Sequence, residues 1–226
     1  MKKRRVKRKF NFLKFFIFVL IVSLITITVY TLFKVKTKNI IILNSKYYSD
    51  EMIIETANIE NYPKFIMLSK SKIKKKLQQL ELIEEVEIKK KLDFTLEITI
   101  KEKKILYFIR SNNKYRLSDG KTYELEKIIG YPTLINYVPE DIEEDFYNKF
   151  KNIDIDIITL ISEIEYSKTS YDKERFKLYM NDGNEVYITI DKIDKLNKYK
   201  SIVKKLDNKK GILYLDSGNY LEIKEK

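Results

Sequence analysis

The chain of 226 residues contains no cysteine and no histidine. Their absence removes thiolate nucleophiles, imidazole bases, disulfides and the common zinc and haem ligands together. Any catalysis would have to run on carboxylates, Lys, Tyr, Ser or Thr. The five glycines are scattered, so there is no Gly-rich loop of the kind that cradles phosphates. Lack of disulfides fits either a reducing cytosol or an extracytoplasmic protein that uses none, so compartment has to be read from elsewhere. Few Gly and Pro beside many Lys, Ile, Asn and Tyr look like the codon bias of an AT-rich bacterial genome.

What is abundant is positive charge, +12 overall, and its location decides its meaning. Residues 1–38 hold eleven basic side chains and no acidic one. The remaining 188 residues carry 34 basic groups (45 − 11) against 33 acidic, a balance of +1. A nucleic-acid partner needs a concentrated basic footprint to displace counterions, and the body has no such excess. No nucleic-acid partner is expected.

Phe15 to Phe33 is a run of 19 residues without a charge. As a helix it would be about 28 Å long, close to the thickness of a hydrocarbon core. Eight basic residues precede it and three closely follow. The positive-inside rule therefore puts residues 1–14 in the cytoplasm as a basic tail, residues 15–33 in the cell membrane as a single pass, and the rest outside. A cleaved signal peptide is the rival reading. The run exceeds the usual apolar core of such peptides and ends in TVYTLFKVKTK, without a small-x-small cleavage pattern.

Beyond the anchor, Asn39 to Leu43 reads as a short strand. Ser49, followed by Asp50 and Glu51, suits a helix start, with the helix running to about Asn58 and burying Ile53 and Ala57. Ser69 or Ser71 can cap a second helix in which Ile73, Leu77 and Leu80 share a face, with Lys70, Lys72, Lys74, Lys75 and Lys76 as its solvated side. Two alternating segments follow. Val86 and Ile88 are set among charges, and then Phe94, Leu96, Ile98 and Ile100 alternate with Thr95, Glu97, Thr99 and Lys101, which predicts a hairpin with one wet face. The order is β-α-α-β-β.

That order directly after an anchor resembles the polypeptide-transport-associated (POTRA) domain, and its details are similar to the cell-division family FtsQ/DivIB. The strand Ile41-Ile42-Leu43 running into Asn44 resembles the family's first strand. Ser49-x-Glu51 resembles its helix start. Ile83, Val86 and Ile88 followed by Lys89 to Lys91 loosely match its second strand. Thr95-Leu96-Glu97-Ile98-Thr99-Ile100-Lys101-Glu102-Lys103 matches Thr-Leu-x-Ile-x-Val-x-Glu-Arg, with Lys103 in place of the usual Arg. Asp93 stands near the usual Pro, so the turn before Phe94 is expected to differ in shape.

Weaker likeness continues to the C-terminus. Ile105 to Arg110 and Tyr115 to Ser118 read as paired strands before the turn Asp119-Gly120. Tyr131-Pro132-Thr133-Leu134 corresponds to the segment opening the family's second domain. Pro139 to Lys151 suits a helix with an acidic first turn, and Ile164 to Ser167 reads as strand. Arg175 to Met180 and Glu185 to Ile190 flank the turn Asn181 to Asn184. An amphipathic helix is expected from about Asp194, with Leu196, Tyr199, Val203 and Leu206 on one face, and then two strands at Ile212 to Leu215 and Tyr220 to Ile223. The expected fold class is α+β: a transmembrane helix, a POTRA domain over 36–103, and a mainly antiparallel β domain with flanking helices over 104–226.

Enzymes of similar topology are poorly served. A sortase needs Cys and His. A membrane signal peptidase needs a Ser-Met motif soon after its anchor, and neither Ser45 nor Ser49 is followed by Met. Carboxylate pairs such as Asp154/Asp156 or Glu84/Glu85 would need a pocket that shifts one pKa. No catalytic residue, cofactor, metal or small-molecule substrate is expected.

By residue type alone, the last strand is either an ordinary strand or a sheet edge open to a partner strand. The resemblance implies the second: in that family the distal edge of the second domain binds the single-pass proteins FtsB (DivIC) and FtsL. The corresponding residues are Ile212, Leu213, Tyr214, Leu215, Tyr220, Leu221 and Ile223, with Tyr214 and Tyr220 as anchors. It further implies a divisome scaffold enriched at the division septum. A POTRA-bearing envelope protein with a chaperone or translocation role, and a membrane-anchored cell-wall enzyme, are the alternatives.

Overall fold

A computed structural model describes residues 11–205 and 209–223. The fold has two compact units, the first ending at Glu102 and the second beginning at Lys103. The first opens with helix α1, Phe12–Lys34, which has no buried residue. A helix apolar on all sides with none of its residues buried is unfavourable in water and suits a bilayer. Thr26, Thr28 and Thr31 donate their hydroxyls at 2.8 Å to Val22 O, Leu24 O and Thr28 O in the helix itself, so these groups need no water. The chain thus carries a helix long and apolar enough to cross a membrane.

The rest of the first unit is β1 (Asn39–Leu43), α2 (Asp50–Ala57), α3 (Lys70–Leu77), β2 (Ile83–Lys90) and β3 (Thr95–Glu102). The sheet order is β1-β3-β2, with β1 parallel and β2 antiparallel to the central β3. Val86, Ile88, Leu96, Ile98 and Ile100 bury one face against Ile53 and Ala57 of α2 and Ile73 and Leu77 of α3. Ser49 Oγ caps α2 by accepting from Met52 N, and Ser69 rather than Ser71 caps α3. Helix α3 ends at Leu77, so Leu80 packs on the core from the following turn.

The family-like motifs have local causes. Asn44, directly after β1, takes a left-handed φ of 63°, which Asn tolerates better than most residues. The loop it begins is tied down by Glu102, whose Oε1 accepts from Lys46 N at 2.9 Å and Tyr47 N at 3.0 Å. At the other end of the hairpin, Asp93 Oδ1 accepts from Thr95 N at 3.1 Å and Phe94 adopts a φ of 66°. A bulky residue there is strained. The Phe94 ring is held edge-on to Phe65 at 5.5 Å.

In the second unit, β4 (Ile105–Ile109), β5 (Lys114–Leu117), β6 (Thr122–Tyr123) and β7 (Thr133–Leu134) precede α4 (Glu140–Phe150) and α5 (Ile155–Ile158). Then come β8 (Ile161–Tyr166), β9 (Arg175–Met180), β10 (Glu185–Thr189), a 3-10 segment Ile190–Lys198, α6 (Tyr199–Lys205), β11 (Gly211–Tyr214) and β12 (Tyr220–Ile223). The strands form one sheet in the order β12-β11-β10-β9-β8-β7-β4-β5-β6. Tyr107 and Phe176 from the sheet meet Phe146 and Phe150 of α4, with ring centroids 4.2 Å apart for Phe146 and Phe176 and 4.9 Å for Phe146 and Phe150.

The expected amphipathic helix from Asp194 is corrected in start and type. It begins at Ile190 as a 3-10 segment and becomes α-helical only at Tyr199. Ile190, Ile193, Leu196 and Tyr199 are the buried positions. Their spacing of three matches three residues per turn and fits a 3-10 helix better than an α-helix. Val203 is only partly buried, and Leu206 lies outside the described residues.

Candidate partner-binding surface

Strand β12 ends the sheet. It pairs antiparallel with β11 on one side, Tyr214 opposite Tyr220 and Leu213 opposite Leu221. Its other side has no strand neighbour among the described residues, so backbone N–H and C=O groups there are available for pairing. Strand β11 is held between β12 and β10, the latter in parallel. This corrects the expectation that Ile212 to Leu215 shares the edge, because both of its hydrogen-bonding sides are taken.

Alternation sorts the seven predicted residues. Leu213 and Leu215 are buried in the core and Leu221 packs against it, so these three side chains hold the sheet together. Ile223 shares the side of Leu221 and is 54% exposed at the end of the strand, whereas Ile212, Tyr214 and Tyr220 point to the opposite face, where Tyr220 is 52% exposed. On that face the register lines up Tyr187, Tyr214 and Tyr220 across three strands. Their rings stack, with centroids 5.3 Å apart for the first pair and 4.6 Å for the second. Each stacked pair contributes about 0.5–1.5 kcal/mol beyond the area it buries.

Polar contacts fix this aromatic ladder. Tyr214 donates its hydroxyl to Glu222 Oε2 at 2.9 Å. That bond, with burial second, pushes the Tyr214 phenol up to about 12. At the inner end the Arg175 guanidinium lies 3.7 Å from the Tyr187 ring centre while its Nε donates to Asp216 Oδ2 at 2.7 Å. Burial works to raise the Asp216 carboxyl, but hydrogen bonds from Arg175 and Ser217 outweigh it and hold it below the ordinary carboxylate value. Lys177, opposite Tyr187 in register, bonds Glu185 at 2.9 Å. Burial opposes its charge, and contacts with Glu185 and Tyr179 more than restore it, leaving the ammonium well above its usual value.

A buried amide sets where β11 starts. Asn184 Nδ2 donates to Tyr199 Oη at 2.9 Å, and Asn184 Oδ1 accepts from Gly211 N at 3.0 Å. The turn between β9 and β10 is thereby joined to both α6 and β11. Sequence reasoning missed Tyr187, Arg175 and Asp216 as parts of this surface. Alternation in β10 marks Tyr187 as outward, but only the pairing with β11 brings it beside Tyr214. Arg175 and Asp216 are 41 positions apart in the chain.

The carboxylate pairs considered for catalysis belong to other elements, and one member of each is engaged in an ion pair. Glu84 pairs with Lys101 at 2.9 Å and Asp156 with Lys200 at 3.7 Å. A cavity of about 560 Å³ is lined by Phe108, Arg110, Tyr115, Leu125, Ile128 and Tyr131. Its Arg110 binds Glu163 at 3.2 Å.

Comparison with known proteins bears on both units. The family model for the FtsQ-type POTRA domain matches residues 35–103, and that for the FtsQ/DivIB C-terminal region matches residues 107–217. Cell division protein DivIB of Bacillus subtilis (strain 168) is 30% identical over 229 residues, spanning 98% of this chain and 85% of its own. DivIB of Listeria monocytogenes serovar 1/2a is 27% identical over 238 residues, with the same two coverages of 98% and 85%. The solved major extracytoplasmic domain of DivIB from Geobacillus stearothermophilus, in its trans isomer, superposes with a TM-score of 0.39 at 25% identity, covering 48% of this chain and 97% of that one.

Proposed function

Because this chain belongs to the FtsQ/DivIB family of cell division proteins, we propose that it is a non-enzymatic bitopic scaffold of the divisome. It holds FtsB/DivIC-like and FtsL-like partners at the septum and is needed for septum formation. In this reading residues 1–14 are cytoplasmic, 15–33 cross the cell membrane, 36–103 form the POTRA domain that assists septal localisation, and 104–226 form the partner-binding domain. The excess of basic residues before α1 supports that topology.

The observation that carries the partner reading is the unpaired side of β12 next to an exposed, stacked tyrosine. A partner segment adding as the next strand would satisfy the free backbone groups. The ladder of Tyr187, Tyr214 and Tyr220 would give its side chains a rigid aromatic surface that loses little conformational entropy on binding. Ile212 is an apolar neighbour on the same face, across the strand pair from Glu222. Confinement of both proteins to one membrane makes a modest strand affinity sufficient, since tethering raises the effective concentration.

The test is capture of purified FtsB/DivIC-like and FtsL-like proteins by the full chain and by a chain lacking residues 211–226. Retained capture by the shortened chain would remove the edge-strand model. Cells depleted of the protein that still divide normally would remove the division role.

A further inference from the structure

The end of the first unit nearest α1 is fastened to the residues that leave that helix. Phe65 N donates to Val35 O at 2.9 Å, and Thr37 gives Pro63 O both its backbone N–H, at 3.0 Å, and its hydroxyl, at 2.8 Å. Lys38 N donates to Phe94 O at 3.0 Å. Two segments, the turn at 63–68 and the tip of the β2–β3 hairpin at 91–94, are thus pinned to the four residues after Lys34. The two segments also hold each other: Lys90 Nζ donates to Ile66 O at 3.3 Å and Leu68 O at 3.0 Å. Each residue advances at most about 3.5 Å, so Val35 to Lys38 lie within about 4–14 Å of the helix end. The polar layer of one leaflet is about 5–8 Å deep. Both segments are therefore held within reach of the lipid headgroups if α1 spans the membrane.

Their outward residues suit that level. Leu92, at the hairpin tip, is 100% exposed and Met67 67% exposed, with Ile66 beside it. Stretches 34–38, 62–70 and 90–94 contain seven lysines and one carboxylate, Asp93, whose Oδ1 is engaged by Thr95 N. Lys91 pairs with Glu97 on the adjoining strand, whereas Lys36, Lys38, Lys64 and Lys70 form no ion pair among the described residues. Burial first, and then the charge of Lys70 nearby, lowers the Lys90 ammonium below its usual value, which marks the crowding of like charges here. Exposed apolar side chains ringed by lysines are the pattern of an interfacial membrane contact.

We propose that this end of the first unit is a second membrane contact, in which Leu92, Met67 and Ile66 enter the interface of the outer leaflet and the surrounding lysines bind anionic lipid headgroups. The inference rests on the topology proposed above. It makes the POTRA unit a body seated on the bilayer, with β1 and β3 rising away from it.

The absence of cysteine allows single-site labelling. The full chain, reconstituted in vesicles of phosphatidylglycerol and phosphatidylcholine, would carry a fluorophore at Met67→Cys or at Glu81→Cys. The second site is exposed and lies about 25 Å further along the sheet, the length of eight strand residues. Quenchers carried on lipid should act several-fold more strongly on the Met67 label. Lys36→Glu, Lys64→Glu and Lys70→Glu together, or Leu92→Asp alone, should abolish the difference, each lysine accounting for about a fivefold change in occupancy. If the chain floats with the vesicles but both labels meet aqueous quencher equally, the inference falls and the anchor stands. A chain that does not float overturns both. Protection of Met67 that appears only on adding a protein partner would overturn the lipid assignment in favour of a protein-docking face.

Discussion

Gly211→Ala isolates the edge strand from the rest of the fold. A Cβ at this position would lie 2.1 Å from Glu222 O, 3.0 Å from Glu222 C and 3.1 Å from Ile223 Cα, all in the backbone of β12. Ordinary carbon–oxygen contacts begin near about 3.3 Å, so relief needs a backbone shift of roughly 1 Å, enough to break the adjacent strand hydrogen bonds. Alanine is otherwise preferred over glycine within a strand by about 0.5–1 kcal/mol, but overpacking of this kind costs about 1–3 kcal/mol. Because β12 is at the edge, the strain can be relieved by releasing it. The loss is then its pairing and the partial burial of Leu221, about 1–2 kcal/mol of the 5–15 typical of a domain. The second unit should stay folded, with Tm lowered by about 3–8 °C. Amides of residues 220–223 should exchange much faster, and capture of the FtsB/DivIC-like partner should fall by more than tenfold. Gly218→Ala is the control in the same hairpin, since its Cβ would meet only the Tyr220 ring, at 3.4 Å. Unchanged protection and unchanged capture in Gly211→Ala would refute the reasoning, as would collapse of the whole unit.

Tyr220→Ala removes one stacked pair from an exposed position, so calorimetric affinity for the partner should drop about tenfold or more while Tm moves little. On the acid side, Asp216 has a folded pKa below its unfolded value near 3.9. Its contribution to stability is complete above that unfolded value and is lost as pH falls through the lower folded one. Thermal melts across this range should show Asp216→Asn less acid-sensitive than the parent chain. On the alkaline side, Tyr214 is raised to about 12. Its contribution is complete below the ordinary phenol value near 10 and is lost as pH rises through about 12, which tyrosinate absorbance of the parent and Tyr214→Phe should resolve.

Local features were legible in the sequence. Ser49 as a cap, Asn44 after an apolar run, the alternation from Leu96 to Ile100 and the turn at Asn181 to Asn184 each carry their cause within a few residues, and each is found where that cause places it. The limits were non-local. A strand of two residues such as β7 exists only through pairing with the distant β4 and β8 and has no period to read. The spacing of three from Ile190 to Tyr199 was open to reading as a helix of ordinary pitch begun late. At the candidate surface, residue type identified Tyr214 and Tyr220, but whether their strand lay inside the sheet or at its margin depended on β10 and β11 meeting in parallel across the intervening helices. Sequence alone could not order those pairings, so Leu213 and Leu215 were grouped with a surface from which their side chains turn away.

The strand order has a consequence for how the protein is made. From β7 to β12 each strand lies beside its immediate predecessor in the chain, in one direction across the sheet. A polypeptide emerging from its N-terminus can therefore lay down this half of the domain one strand at a time, each on a template already in place, with little waiting for distant segments. Every unfinished stage exposes a different growing margin, and only the last strand to emerge, β12, bears Tyr220. On the partner-binding reading proposed above, recruitment would be deferred by topology until the sheet is complete, and a half-built chain would lack the edge the partner needs.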